Sequence, residues 1–147
     1  MMRISRAQAR LFGIDSPKPK RAKSPDGMNQ TERLFAAVLD QAVRQERVMR
    51  WWREPLTFRL AGNTRYTPDF LVVPRIWTDW RLSIVEVKGW MRDDAAVKIK
   101  VAADMYPCFT WWLAYRAKGG GWDVRPVTRA GIGRESFHPM QIWGAMD

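Results

Sequence analysis

The order of apolar and polar residues predicts a long helix in the first half of the chain. In residues 29–49, NQTERLFAAVLDQAVRQERVM, apolar side chains recur at helical spacing. The apolar stripe of this helix consists of Phe35, Ala36, Leu39 and Val43. Glu32 lies on the same stripe, so we expect it to face inward or to line the rim of a cleft. Asn29 and Glu32 also have the spacing of a capping box, and the two roles are compatible.

Runs of β-branched and aromatic residues predict three strands after this helix. Residues 54–73, EPLTFRLAGNTRYTPDFLVV, contain two such runs on either side of Gly62 and Asn63, which tolerate the positive φ of a tight turn. They predict a hairpin whose second strand carries Asp69. Residues 82–89, LSIVEVKG, predict a third strand that ends at Gly89, after a polar and aromatic loop.

A second helix and two further strands complete the predicted fold. The helical period of RDDAAVKIKVAADMY falls on Ala95, Ile99, Ala102 and Tyr106, and FTWWLAYRAKGGGWDVRPV predicts two strands around a triple-glycine turn. The order is helix, three strands, helix, and one or two strands. It predicts an α/β (α+β) fold with a mixed sheet, because strands joined through a crossover helix lie parallel.

The two ends of the chain differ in composition from the middle. Residues 1–28 hold seven Lys or Arg and two Asp, half of the net charge of +10, and are rich in proline, serine and lysine. We expect a flexible basic arm there, with a solubilising tail as the alternative. A compact domain is predicted over residues 29–128. Residues 129–147 are predicted to form an extension that packs on the body or on a partner subunit.

Charge and residue types narrow the function. A pI near 10.5 favours a polyanionic partner, and nucleic acid is the first candidate. A membrane surface is not expected, because no apolar run approaches the roughly 20 residues of a membrane span and no signal peptide is evident. We therefore expect a cytoplasmic protein. Cys108 and His138 are the single cysteine and histidine, so a catalytic metal would be held by oxygen atoms, which indicates Mg²⁺, with Mn²⁺ as a substitute.

Three charged residues interrupt the predicted central strands. Glu86 and Lys88 are two residues apart and therefore share one face of the sheet, and Asp69 belongs to the neighbouring strand. Two anions about 4 Å apart repel by about 4 kcal/mol at an effective dielectric near 20, which a divalent cation would relieve. We predict a metal site of Asp69, Glu86 and the carbonyl of Val87, with Lys88 as electrostatic catalyst. The alternative is a surface cross-strand salt bridge, in which Lys88 pairs with Asp69 or Glu86.

The motifs TPDF and VEVKG, between a helix bearing Glu32 and a second helix, resemble the PD-(D/E)xK nuclease superfamily over residues 29–127. The chain is most similar to compact endonucleases encoded by phages and prophages, and it shares the pattern of transposition endonuclease subunits and phage Holliday junction resolvases. The resemblance implies a restriction-endonuclease-like αβββαβ core and magnesium-dependent hydrolysis of DNA. It puts Asp69, Glu86 and Lys88 on the catalytic motif. Relatives often have a further lysine or glutamine on the second helix, for which Lys98 and Lys100 both qualify.

These observations predict a metal-dependent DNA endonuclease, with Glu32 as an auxiliary metal ligand or water-orienting residue. A non-catalytic DNA-binding or assembly module with the same fold is the alternative, and an RNA-processing enzyme is a third. Branched recombination or replication intermediates are the expected substrates, within a bacterial host cell if the protein is encoded by a phage. A homodimer suits paired cuts, and no organic cofactor is expected. The residues predicted to bind nucleic acid are Lys18, Lys20, Arg21, Lys23, Arg65, Lys98 and Lys100.

Overall fold

A computed structural model describes residues 25–75, 81–89 and 93–143, and the side chains of residues 93–95 fall outside that description. The fold is mixed α/β, with a six-stranded mixed sheet, a separate two-stranded sheet and helices. The helices are α1 (Gln30–Arg44), α2 (Asp93–Met105) and α3 (Pro139–Ile142). The strands are β1 (Val48–Arg53), β2 (Phe58–Ala61), β3 (Thr64–Tyr66), β4 (Phe70–Pro74), β5 (Leu82–Lys88), β6 (Phe109–Arg116), β7 (Trp122–Thr128) and β8 (Gly131–Ile132).

The larger sheet has the strand order β1-β4-β5-β6-β7-β8. Strands β5 and β6, which helix α2 connects, are parallel as the sequence predicts, and every other neighbouring pair is antiparallel. The triple-glycine turn between β6 and β7 is also confirmed. Strand β5 therefore lies inside the sheet, with ladder partners on both sides.

Helix α1 is shorter than predicted. Its capping box is confirmed, since the Asn29 side chain accepts from the Glu32 backbone N–H and the Glu32 side chain accepts from the Asn29 N–H. The prediction that the helix continues through residue 49 is wrong. The chain turns at Glu46, whose φ of 58° lies in the left-handed region, and then forms β1. The predicted stripe is wrong at Val43, which is 37% exposed, because Ala42 is buried in its place.

The predicted hairpin exists, but it belongs to a different sheet. Strands β2 and β3 pair around the turn at Gly62 and Asn63, where Gly62 has a φ of 45°. They form a sheet of their own. In sequence they lie between β1 and β4, which are direct neighbours in the larger sheet. Asp69 lies between Tyr66, the last residue of β3, and Phe70, the first residue of β4. Its predicted position on the second strand of the hairpin is therefore wrong.

Two apolar clusters cover the two faces of the larger sheet. The first packs α1 against one face and includes Phe35, Phe70, Val85 and Val87. The second packs α2 and the hairpin against the other face and includes Tyr66, Ile84, Ile99, Trp111 and Leu113. Because successive residues of a strand point to opposite faces, Glu86 and Lys88 belong to the second face.

The described part of the C-terminal extension, residues 129–143, contacts the body of the protein. Trp143 is buried in the first apolar cluster, Phe137 forms a bridge with Val124 of β7, and Arg47 donates to the carbonyl of Met140. The sequence leaves the body and a partner subunit as alternatives; these contacts are with the body, and packing on a partner subunit stays a prediction. Within the described part of the chain, no helix is both long enough and apolar enough to cross a membrane.

Candidate active site

Asp69 is held in place from two sides by backbone groups. The Val87 N–H of β5 donates to Asp69 Oδ2 at 2.7 Å. On the other side, the Glu54 N–H donates to the Asp69 carbonyl at 2.8 Å. Glu54 follows β1 directly and has a φ of 45°, an uncommon conformation for a residue with a side chain. Both the backbone and the carboxylate of Asp69 are therefore fixed against neighbouring strands.

Asp69 and Glu86 come together across the β4–β5 ladder. The register pairs Phe70 with Val85 and Leu71 with Ile84. One residue further along, this register sets Asp69 opposite Glu86, and opposite residues of an antiparallel pair project to the same face. The prediction that these two carboxylates meet on one face is consistent with this geometry, although Asp69 itself precedes the strand.

Both oxygens of the Glu86 carboxylate have partners. Glu86 is 7% exposed, one of two buried polar residues in the described part of the chain. Lys88 Nζ pairs with Oε1, and the Tyr66 hydroxyl donates to Oε2 at 2.9 Å. A salt bridge of Lys88 is thus present, but it runs along one strand at a partly buried position and is not the surface cross-strand pair of the alternative. It neutralises only one of the two carboxylates.

The remaining carboxylate is electrostatically unfavourable. Burial and the nearby charge of Glu86 raise the pKa of Asp69 to about 7, and the Val87 N–H and Lys88 oppose the rise. Burial and the same Glu86 charge raise the pKa of the Tyr66 hydroxyl, which therefore stays a donor. When Asp69 is ionised, two carboxylates and one ammonium leave an excess of one negative charge at the centre of the site.

Glu32 reaches the edge of this site from α1. Its charge contributes to the raised pKa of Asp69, so the two carboxylates are within electrostatic range. Its oxygens also have other partners, because Glu32 caps α1 through Asn29, and Oε2 lies 3.9 Å from Nε of Arg53. Its predicted role as an auxiliary metal ligand stays a prediction.

The donor set suits a magnesium ion better than a metal that needs a full protein cage. Across the described ranges, no group of three or more His, Cys, Asp or Glu side chains is placed to hold a metal. Mg²⁺ commonly binds through one or two carboxylates and completes its octahedron with water and substrate phosphate. Asp69 and Glu86 supply two such carboxylates with excess negative charge. The carbonyl of Val87 stays a predicted ligand, on a residue whose N–H already contacts Asp69.

The residues predicted to bind nucleic acid are only partly visible. The arm residues Lys18, Lys20, Arg21 and Lys23 lie outside the described residues. Arg65 is exposed on β3, and exposed Lys98 of α2 donates through Nζ to the Arg65 carbonyl at 3.3 Å. Lys100 is exposed two residues further along α2. The structure therefore brings Lys98, of the two candidate lysines, against the hairpin.

Sequence reasoning missed two residues that contact the site. Tyr66 donates to Glu86 from the inserted hairpin, and Arg53 at the end of β1 lies beside Glu32. Within the described residues, Arg53 Nε is buried without a hydrogen-bond partner, while its Nη2 donates to the Gly27 carbonyl at 3.0 Å. The run RVMRWWR, rich in aromatic residues, was a signal for β1, but no local pattern identifies the partners of Tyr66 or Arg53.

No family model and no curated protein matches this chain.

Proposed function

We propose that this protein is a magnesium-dependent DNA endonuclease with a restriction-endonuclease-like core. With the hairpin left aside, the chain runs α1, β1, β4, β5, α2, β6, the succession of an αβββαβ core. The antiparallel β1-β4-β5 order and the parallel β5–β6 pair are compatible with that assignment. This topology supports the proposal at the level of fold.

The observation that carries the proposal is the pair Asp69 and Glu86, with Lys88 beside it. Buried carboxylates are costly unless they are paired or coordinate a metal, and only Glu86 has an ammonium partner. A divalent cation would remove the repulsion that raises the pKa of Asp69. Two carboxylates with a nearby ammonium suit a metal-dependent hydrolase. Without a metal, replacing Asp69 by an uncharged residue would increase the stability of the fold.

Each residue has a proposed role in phosphodiester hydrolysis. Asp69 and Glu86 would hold a magnesium ion, which when bound would supply positive charge to the scissile phosphate and a more acidic water molecule. The Val87 N–H and the Tyr66 hydroxyl keep the two carboxylates oriented. Lys88 places an ammonium where negative charge develops in the transition state. Mn²⁺ substitutes because it accepts the same oxygen ligands.

The proposal extends to the substrate and its setting. With a net charge of +10, the protein suits a partner with many phosphates. We propose DNA, in branched recombination or replication intermediates of the kind that compact phage endonucleases cut, in the cytoplasm of a bacterial host cell. Paired cuts in such substrates favour a homodimer. The basic arm adds affinity that does not depend on sequence.

A nicking assay tests the proposal. The protein is incubated with supercoiled plasmid and with a four-way junction, with Mg²⁺ or Mn²⁺ and with EDTA. We expect cleavage that depends on the metal, and a loss of at least about 100-fold in the Asp69→Ala and Lys88→Ala variants, since a single electrostatic group of this kind contributes about 10²–10³ to the rate. Asp40→Ala, an exposed carboxylate of α1, is the matched control and should cleave like the parent.

Several outcomes would contradict the proposal. The absence of cleavage on every DNA with either metal would favour a DNA-binding or assembly module that keeps the fold. Cleavage of an RNA duplex in preference to DNA would indicate an RNA-processing enzyme. Cleavage that survives in both site variants would show that the activity does not come from this site.

A further inference from the structure

The hairpin formed by β2 and β3 carries two arginines directly opposite each other. The register pairs Arg59 with Arg65, and both side chains are exposed. Inward-pointing neighbours Phe58, Leu60 and Tyr66 are buried in the second apolar cluster, so the two arginines occupy the outer face. Like charges directly opposite in an antiparallel pair are unfavourable. In a sheet of only two short strands, few other contacts offset this repulsion, so the arginine pair is expected to have a role other than stability.

No acidic residue compensates this pair within the described part of the chain. Neither guanidinium takes part in any of the ion pairs there, which involve Arg33, Arg53, Arg75, Arg125, Arg129 and Lys88. Arg59 Nε donates to the carbonyl of Gly62 at 3.0 Å, a neutral acceptor that leaves the positive charge in place. The outer face of the hairpin is therefore a concentrated positive charge that faces solvent.

Helix α2 braces the hairpin at the same two residues. The Tyr106 hydroxyl donates to the Arg59 carbonyl at 2.7 Å, and Lys98 Nζ donates to the Arg65 carbonyl at 3.3 Å. Lys98 adds a third positive charge beside Arg65. Since both backbone positions are held, the two arginines project from a fixed platform, and ordering them costs less entropy than ordering side chains on a loose loop.

This platform is connected directly to the candidate active site. Tyr66 follows Arg65 in the chain, and its hydroxyl donates to Glu86 at 2.9 Å. Because adjacent residues of a strand project to opposite faces, Tyr66 points to the carboxylates while Arg65 points to solvent. One residue step along β3 therefore separates the site from the outer face, so the two arginines can serve only phosphates that flank the scissile phosphate.

We propose that Arg59 and Arg65 form a phosphate clamp, with Lys98 beside it, that binds the backbone of a nucleic acid next to the scissile phosphate. The inference rests on the proposed function for the position of the substrate. The clamp reads no sequence, because guanidinium contacts to phosphate position a nucleic acid without identifying its bases. The bound phosphates supply the negative charge that the paired arginines lack.

Binding without cleavage tests the clamp. Fluorescence anisotropy of a labelled 20-base-pair DNA duplex is measured in EDTA over a series of salt concentrations. We expect Arg59→Ala/Arg65→Ala to bind roughly 10- to 50-fold more weakly at 0.1 M salt, and its slope of log affinity against log salt to be shallower by about 1.8, since each lost phosphate contact removes about 0.9. Circular dichroism establishes that the variant is folded.

Two further variants keep the net charge equal to that of the double alanine variant. Arg44→Ala/Arg75→Ala removes two exposed arginines outside the hairpin. Arg44 is the last residue of α1, and Arg75 directly follows β4. This variant should weaken binding less than about threefold. Arg65→Glu replaces the repulsive pair with an attractive one, so the hairpin should stay folded while DNA binding falls at least as far as in the double alanine variant.

The outcomes separate the clamp from the nuclease proposal. Equal weakening in the hairpin variants and in Arg44→Ala/Arg75→Ala, with equal slopes, would overturn the clamp and leave only a general effect of charge. Parent protein that binds through the hairpin but never cleaves would keep the clamp and overturn the nuclease. If the parent protein cleaves DNA and the hairpin variants bind it as tightly as the parent, the nuclease proposal is kept and the clamp is overturned. A parent that does not bind the duplex would overturn the clamp.

Discussion

The two faces of strand β5 are both buried, yet they carry side chains of different character. Val85 and Val87 point to helix α1 and lie in an apolar cluster, and the polar residue of this face, Ser83, is uncharged and hydrogen-bonded to Trp143 and Thr110. Leu82 and Ile84 begin the opposite face in the same way, but Glu86 and Lys88 follow them towards the end of the strand. The first face is an ordinary hydrophobic core, whereas the second changes from apolar to charged within two residues.

This difference indicates how the protein divides stability and function between its layers. The α1 face gains from every buried carbon atom, by about 25 cal/mol for each Å² removed from water. The α2 face contains Asp69, whose raised pKa shows that its environment disfavours the charged form. Charged groups that oppose stability are expected where chemistry is performed. Removing a buried apolar side chain from the α1 face should therefore destabilise the protein, whereas removing the charge of Asp69 from the α2 face should stabilise it.

The largest expected effect is on the apolar face. Phe35 of α1 is fully buried and packs against the rings of Phe70, Trp122 and Trp143, with centroids 4.8–6.4 Å away. Phe35→Ala should lower the free energy of unfolding by about 3–5 kcal/mol, through lost burial and the cavity that remains. Urea denaturation followed by tryptophan fluorescence measures this loss.

The neighbouring residue provides the control for that substitution. Leu34 is on the same helix but is 41% exposed, so Leu34→Ala should cost less than about 1 kcal/mol. Below the unfolding transition, metal-dependent cleavage per folded molecule should be unchanged in both variants. A specific loss of cleavage in folded Phe35→Ala protein would show that the α1 face is not simply a core.

The second prediction concerns Asp69 and has the opposite sign. Its folded pKa of about 7 exceeds the ordinary value of 3.8, so the folded chain loses stability as pH rises from about 4 to 7, where Asp69 must ionise. Asp69→Asn removes that charge, and the amide oxygen can still accept from the Val87 N–H. We expect the metal-free variant to be more stable than the parent by about 2–4 kcal/mol at pH 8 and similar to it at pH 4.

The same variant should lose metal-dependent cleavage, so stability and activity move in opposite directions. Asp40→Asn is the control, because Asp40 is exposed on α1 and the amide oxygen can still accept from the Trp51 indole N–H, so the free energy of unfolding should change by less than about 1 kcal/mol. Urea denaturation of both variants at pH 4 and pH 8 measures the effect. An Asp69→Asn protein that is less stable than the parent at pH 8 would contradict the claim that this carboxylate is unfavourable.

Local patterns predicted the elements whose signals are local. Strand β5, helix α2 and the turn between β6 and β7 follow from apolar periodicity and glycine, and the capping box from two residues three apart. The separation of Glu86 and Lys88 also predicted that they share a face. These parts of the fold and of the candidate site require no knowledge of tertiary contacts.

The elements that were wrong depend on contacts distant in sequence. Helix α1 ends without a glycine or proline, because Glu46 adopts a left-handed conformation as β1 pairs with β4. The separation of the hairpin from the larger sheet, the contact of Tyr66 with Glu86 and that of Arg53 with Glu32 are likewise long-range. The sequence pattern does not give the register between strands that are distant in the chain. It therefore predicted the carboxylates of Asp69 and Glu86, but not the Tyr66 hydroxyl and the Val87 N–H that contact them.

The smallest of the three effects concerns the hydrogen bond that ties the hairpin to the charged face. Tyr66→Phe removes the hydroxyl that donates to Glu86 and leaves Oε2 of a buried carboxylate without this partner. Because hydrogen bonds to charged groups contribute about 1.5–3 kcal/mol, the free energy of unfolding should fall by about that amount at pH 7. If Tyr66 positions Glu86 for a metal, the variant should also need a higher Mg²⁺ concentration for half-maximal cleavage.

Tyr106→Phe separates this positioning role from a general loss of a tyrosine hydroxyl. The Tyr106 hydroxyl also contacts the hairpin region, but it donates to the neutral carbonyl of Arg59. Its removal should cost about 0.5–1.5 kcal/mol and leave the Mg²⁺ requirement unchanged. Equal losses of stability and equal Mg²⁺ requirements in the two variants would mean that Tyr66 only stabilises the fold, and that the charged face of β5 is not oriented by the hairpin.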